Sequence, residues 1–203
     1  MFAQVIQGRT SDAEGLRAAA DRWLQELRPG SIGWLGSTIG ITDDGIFIAV
    51  ARFESAEAAD RNAQRPEQSR WWDETSRLFD GEVRFRNSED VAVDLQGDPD
   101  KAGFVQVMQG RVSDAGRARD VMARIPGDVM AAYRPDVLGS VLIGHEDGEW
   151  TQVIYFTSET DAREGERQEP PAEFQSVMEE MGTLSVGETT FLDLRRPVLQ
   201  SPS

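Results

Sequence analysis

Apolar and polar positions alternate at the start of the chain: Phe2, Gln4 and Ile6 fall on one side of an extended backbone, Ala3, Val5 and Gln7 on the other. A period of two predicts a strand over residues 2–8. The spacing then turns helical, with Leu16, Trp23, Leu24 and Leu27 recurring until Arg28, Pro29 and Gly30 stop the helix. Ser11 stands at its start as an N-cap, and Glu14 completes a capping box. Residues 34–41 predict a second strand. Asp43, Asp44 and Gly45 form a hairpin turn, and the apolar run 46–53 predicts a strand central in a covered sheet. Ser55 caps a helix over 56–64, which Pro66 interrupts. Residues 67–79 resume helical spacing with Trp71, Trp72, Leu78 and Phe79, and 83–95 supply a last, broken strand.

The whole pattern then occurs again. Residues 104–115 (FVQVMQGRVSDA) repeat residues 2–13 (FAQVIQGRTSDA) with nine of twelve identical. Arg134 and Pro135 answer Arg28 and Pro29, and Glu146, Asp147 and Gly148 answer the first hairpin. Residues 150–156 answer 47–53, which sets Tyr155 where Arg52 stands. A helix over 114–125 ends at Pro126, 128–133 add a turn, Ser158 opens a helix with Asp161 three positions on, and 183–194 form the closing strand. A period near 100 residues is too long for a solenoid and describes a duplicated domain. The expected division is a first repeat over 1–95, a linker over 96–103, a second repeat over 104–195 and a tail over 196–203. Each repeat reads β-α-β-β-α-β, an α+β, ferredoxin-like unit: a four-stranded antiparallel sheet with both helices on one face. The other face is partly apolar in both repeats. Packing the two sheets together would bury it as an intrachain pseudo-dimeric α/β barrel, leaving a monomer or weak homodimer.

Composition narrows the partners. Hydrophobic residues at 39% and charged residues at 28% describe a soluble globular chain. A net charge of −15 would repel a phosphate backbone, so nucleic acid is excluded as a partner. No apolar run is long enough to span a membrane, and no secretory signal is visible, so a cytoplasmic protein is expected. The absence of cysteine removes disulfides and thiolate catalysis.

Phe53, Glu54, Ser55 and the helical residues to Asn62 lead into Arg65, Pro66 and Glu67, then Trp71 and Trp72, a glycine-terminated helix and a final strand. This succession of strand, serine-capped helix, polar break and aromatic helix resembles the dimeric α/β-barrel superfamily and, within it, the antibiotic-biosynthesis-monooxygenase-like domains, here in tandem. The resemblance implies a pocket between the sheet and helices of each unit. Its members include cofactor-free oxygenases of quinols and polyketide-like aromatics, as well as heme-degrading enzymes. The latter place an iron-ligating histidine on the second helix after the tryptophan. Here no histidine follows Trp72 through Gly81, and the first strand carries glutamine rather than their asparagine. Neither heme nor another cofactor is therefore expected.

Candidate chemistry gathers on the first repeat. Asn62 and Trp72 resemble groups that hold an aromatic substrate in the cofactor-free oxygenases: an amide orients a phenolic or enolate oxygen, and an indole offers a stacking face and an N–H. Trp71 is a ligand-binding candidate beside them. The plain alternative is that one tryptophan is core and the other lies on a rim, since adjacent residues cannot share one helical face. Arg52 is a candidate for stabilising an enolate and Tyr155 for contacting a ligand, against the plainer reading of an end-of-strand arginine reaching solvent. The duplicated Gln4/Gln106 and Gln7/Gln109 point to hydrogen bonding in the sheet–sheet interface, and Arg9 and Arg111 to local ion pairs. The lone histidine, His145, sits beside the acids of the second hairpin, and with no cysteine a metal site is not expected. The expected function is that of a monooxygenase-like protein with a pocket for a small aromatic compound, cofactor-free if catalytic. A non-catalytic small-molecule-binding or purely structural protein of the same fold is the competing expectation.

Overall fold

A computed structural model describes residues 1–202, the side chains of Asp128 and Glu173 excepted. The first half runs β1 (Phe2–Arg9), α1 (Ala13–Arg22), β2 (Trp34–Ile41), β3 (Ile46–Phe53), α2 (Ala56–Ala63), α3 (Pro66–Thr75) and β4 (Arg84–Ser88). β5 (Val91–Leu95) follows, and the series repeats as β6 (Phe104–Arg111), α4 (Ala115–Met122), α5 (Gly127–Tyr133), β7 (Val137–Gly144), β8 (Glu149–Phe156), α6 (Glu159–Glu166), α7 (Ala172–Leu184) and β9 (Thr190–Leu194). A short β10 (Val198–Gln200) ends the series. The α+β, ferredoxin-like succession expected from the sequence is present in both halves.

Each sheet has five strands rather than the expected four. The orders are β10-β2-β3-β1-β4 and β5-β7-β8-β6-β9. The stretch read as one broken strand, 83–95, breaks at Glu89 and Asp90; β4 stays in the first sheet and β5 joins the edge of the second. Residues 196–203, expected as a tail, carry β10, which pairs antiparallel with β2 in the first sheet. Both added strands cover an edge that a four-stranded unit would leave with unpaired backbone groups. The chain accordingly divides into two compact units: Met1–Val91 with the residues from Arg196 on, and Ala92–Arg195.

Local chemistry accounts for the element ends. Asp12, not Ser11, caps α1: its carboxylate accepts from Gly15 N at 2.9 Å, while Ser11 Oγ donates to Asp80. Asp114 caps α4 in the same way. Ser55 and Ser158 cap α2 and α6 as expected. The 128–133 turn is a helix, α5, and the closing stretch 183–194 is helical through Leu184 before β9 begins. Gly45 and Gly148 hold positive φ (81° and 76°) in the paired hairpins. In each a Cβ would collide with a carbonyl, of Thr10 or Val112, so only glycine closes the turn there. Arg9 and Arg111 donate to the turn carbonyls of Asp44 and Asp147 and make none of the expected ion pairs among the described residues.

The first unit's helix-facing core contains Phe2, Phe53 and Trp34 with Ala58 and Ala59, and Leu16, Ile41, Phe47 and Phe79 beside them. Burying each large apolar side chain contributes about 1.5–3 kcal/mol. The second unit packs Phe104 and Phe156 on Ala162, and Val112, Val121, Val177 and Leu184 together. No helix among the described residues is long and apolar enough to cross a membrane.

Candidate functional site

Between the sheet and helices of the first unit lies a cavity of about 410 Å³. Strand alternation supplies its floor. Phe2, Gln4 and Ile6 of β1 and Phe47, Ala49, Ala51 and Phe53 of β3 share the face turned to the helices. The two alanines leave the room. Gln106 opposes Ile154 and Met108 opposes Gln152 in the second unit, at the positions where Gln4 opposes Ala51 and Ile6 opposes Ala49 in the first.

Three helical segments form the roof. After α1 the backbone widens into a π-turn, Trp23–Leu27, where Arg28 N bonds to Trp23 O. Single π-turns recur at functional sites. Here Trp23 lines the cavity and its Nε1 donates to Gln68 Oε1 on α3 at 2.8 Å. The adjacent tryptophans of α3 both line the cavity and divide their tasks. Trp71 Nε1 donates to Ala19 O at 2.9 Å and ties α3 to α1. Trp72 packs edge-on against Phe85 of β4, with centroids 5.1 Å apart, and its indole N–H has no partner among the described residues. Gln4 Nε2 donates to Asn87 Oδ1 at 3.0 Å at the β1–β4 edge of the cavity, and Gln4 Oε1 and the Asn87 amide N–H have no partner among the described residues. Gln4 thus serves the helix side of the sheet and not the sheet–sheet role expected from its duplication.

Asn62 lines the cavity and is only 5% exposed, but its amide is occupied. Nδ2 donates to Ile32 O (2.7 Å) and Ala58 O (2.8 Å), while Oδ1 accepts from Ile32 N (3.1 Å) and Arg65 Nη1 (3.3 Å). The side chain fastens the loop before β2 to α2. Orienting a ligand oxygen would require breaking one of these bonds.

Arg52 and Tyr155 hold matching register positions, opposite Ala3 and Gly36 and opposite Val105 and Gly139. Alternation turns both away from the helix side of their sheets. Neither lines the cavity, and Tyr155, 3% exposed, belongs to the second unit. The structure therefore brings together Asn62, Trp71 and Trp72, and leaves Arg52 and Tyr155 apart from them. Residues that sequence reading passed over for the site are Trp23, Gln68, Asn87, Asp60 and Asp73. The contrast of Ala49 and Ala51 with Gln152 and Ile154 was the available signal.

The second unit treats the corresponding place differently. Arg163, the counterpart of Asp60 counted from the Ser55 and Ser158 caps, lies over the Phe104 ring at 5.3 Å and pairs with Asp193. Asp193 also accepts from Gln106 Nε2 at 3.0 Å. A cation, its carboxylate and a glutamine stand where the first unit has cavity lining. His145 bonds through Nε2 to Thr151 Oγ1 at 3.0 Å, and no cluster of acids and histidine able to hold a metal ion occurs among the described residues.

No family model and no curated protein matches this sequence. Solved structures do. The chain is similar to a putative monooxygenase from Fusobacterium nucleatum, with a TM-score of 0.78 at 9% identity, covering 98% of this chain and 94% of that one. It is similar to one of the same description from Lactobacillus acidophilus, with a TM-score of 0.74 at 12% identity and coverage of 98% and 95%. An anthrone oxidase-like protein matches with a TM-score of 0.70 at 14% identity, over 98% and 92%. The likeness is one of fold and extends over both repeats. The chain shares its fold with these solved structures, in line with the resemblance noted from its first repeat.

Proposed function

We propose that the first unit binds a small aromatic compound between its sheet and helices and acts on it as a cofactor-independent monooxygenase. The observation that carries this reading is the cavity itself, about 410 Å³ walled by aromatic side chains and edged by the free N–H of Trp72 and the Gln4–Asn87 pair. Pockets of this size suit small organic ligands, and a few convergent polar groups fix their orientation. The fold likeness to proteins named as monooxygenases supports the reaction class.

In such a reaction the substrate supplies the electrons. A hydroxyaromatic with an activated methylene is oxidised to the carbonyl by O₂; one oxygen atom enters the product and the other leaves as water with the two methylene hydrogens. The chain would bind the ring, keep water out and stabilise charge on the ring oxygen. Trp72, a lining residue, would take the last task, since a fixed N–H donor aimed at developing negative charge lowers the barrier. Asn62 would act as a positioning residue through the loop it fastens.

Binding without chemistry is the second reading. It is favoured by one observation: the titratable groups lining the cavity, Asp60 and Asp73, are both exposed, so no sheltered base adjoins the aromatic walls. Oxygen consumption with a panel of quinols and anthrone-like aromatics separates the two. Turnover that falls in Trp72→Phe while the fold is retained supports catalysis. Binding of the panel without oxygen uptake leaves only the second reading.

A further inference from the structure

The cavity wall is electrostatically one-sided. Asp60 on α2 and Asp73 on α3 are its charged lining residues, and no arginine, lysine or histidine joins them among the described lining residues. Neither carboxylate makes an ion pair or hydrogen bond among the described residues, although acids elsewhere on the chain do: Glu67 holds Arg65 at 2.8 Å and Glu74 holds Arg22 at 2.7 Å. Arg65 and Arg22 are thus matched by acids outside the cavity lining. The second unit makes the contrast sharper, because the position of Asp60 is taken there by Arg163, whose charge is matched by Asp193. Besides the acids, the wall is lined by the aromatic side chains Trp23, Trp71, Trp72 and Phe85. The face of an aromatic ring attracts cations and repels anions through its quadrupole. The net charge of −15 adds a field of the same sign over the whole chain.

We infer that the ligand class of this cavity is a cationic aromatic: a ring system carrying a protonated amino group, with the ring among the tryptophans and the ammonium at the mouth facing Asp60 and Asp73. The inference rests on the proposed role of the cavity as an aromatic-binding site and specifies the charge of its occupant. Both acids are exposed, which suits the mouth, while the apolar floor of Ala49 and Ala51 suits the ring. An aromatic carboxylate or phosphate would meet no cation in the wall and two unpaired carboxylates.

Three probes with one ring system test this: 1-naphthylmethylamine, 1-naphthylmethanol and 1-naphthoic acid, titrated into the intact chain and followed by tryptophan fluorescence and calorimetry. The amine should bind roughly tenfold more tightly than the alcohol, and the acid most weakly. The amine's advantage should shrink as ionic strength rises from about 0.01 M to about 0.15 M, because the Debye length then shortens to about 8 Å. It should also disappear in the double variant Asp60→Asn, Asp73→Asn. Alcohol binding equal to amine binding, or tightest binding of the acid, would overturn the charge assignment and leave the aromatic cavity standing. Failure of all three probes to bind would overturn the aromatic site and the charge assignment with it.

Discussion

Asp193 occupies in the second unit the register position that Asn87 occupies in the first: each faces a central-strand glutamine, Gln106 or Gln4, at 3.0 Å. The added charge at Asp193 recruits Arg163 from α6, which lies over Phe104 and also bonds Glu166. Asn87 recruits nothing of the kind, and its glutamine borders a cavity.

From this asymmetry, Asp193→Asn should destabilise the protein by about 1–3 kcal/mol, because Arg163 loses a partly sheltered partner and hydrogen bonds to charged groups are worth about that much. Asn87→Ala, on an exposed edge strand, should stay within about 0.5 kcal/mol. Denaturant melts of the two variants, compared with the parent chain, check the contrast. Equal losses would contradict it.

Asn62→Ala should be costly to the fold itself. It removes the partners of Ile32 N–H and C=O and the anchor of Arg65 Nη1, and each buried group left unsatisfied costs about 1–3 kcal/mol. The sequence alone suggested a ligand-orienting amide. The measurement is a denaturant midpoint with amide exchange across residues 31–34. An unchanged midpoint with accelerated ligand release would restore the ligand-orienting role.

Removing residues 196–203 should weaken the first unit. β10 closes the edge of β2, and Arg28 Nη1 donates to Gln200 Oε1 at 2.7 Å, so the truncated chain loses ladder bonds and a side-chain tether together. The expected loss is about 1–3 kcal/mol, and hydrogen exchange should quicken at Ser37, Thr38 and Ile39. Unaltered exchange there would show β10 to be dispensable.

Stability should fall in acid, and the sign follows from the carboxylates. Arg195, bonded to Glu159 through Nε and Nη2, holds that carboxyl below its ordinary value of 4.5, with Arg163 adding to the effect; Arg117 and Arg124 do the same for Glu180. A carboxyl whose pKa is depressed on folding contributes stability that is complete above its unfolded value and is lost as pH falls through its folded value. Melting temperature should therefore be level above the ordinary carboxyl value and decline below it. Arg195→Met should make that decline shallower, as read from melts taken between about pH 7 and about pH 3. A decline of unchanged steepness would show that the Glu159 pair carries none of it.

The duplication, the strand and helix succession and the serine caps at Ser55 and Ser158 were all legible in the sequence, because they depend on periodicity and on neighbours a few residues away. The choice of Asp12 over Ser11 as a cap was not, since Ser11 finds Asp80, sixty-nine positions along the chain. Nor was the fate of 83–95 or of 196–203: which edge a strand joins depends on which backbone groups lie unpaired in the folded sheets. The site divides the same way. Asn62, Trp71 and Trp72 could be singled out by residue type, and Arg52 was set apart only when strand alternation fixed the face it occupies. That Asn62 and Trp71 are already occupied follows from hydrogen bonds to Ile32 and Ala19, groups distant along the chain. Side-chain chemistry is a property of the sequence; whether a donor is already satisfied is a property of the neighbours that folding brings to it.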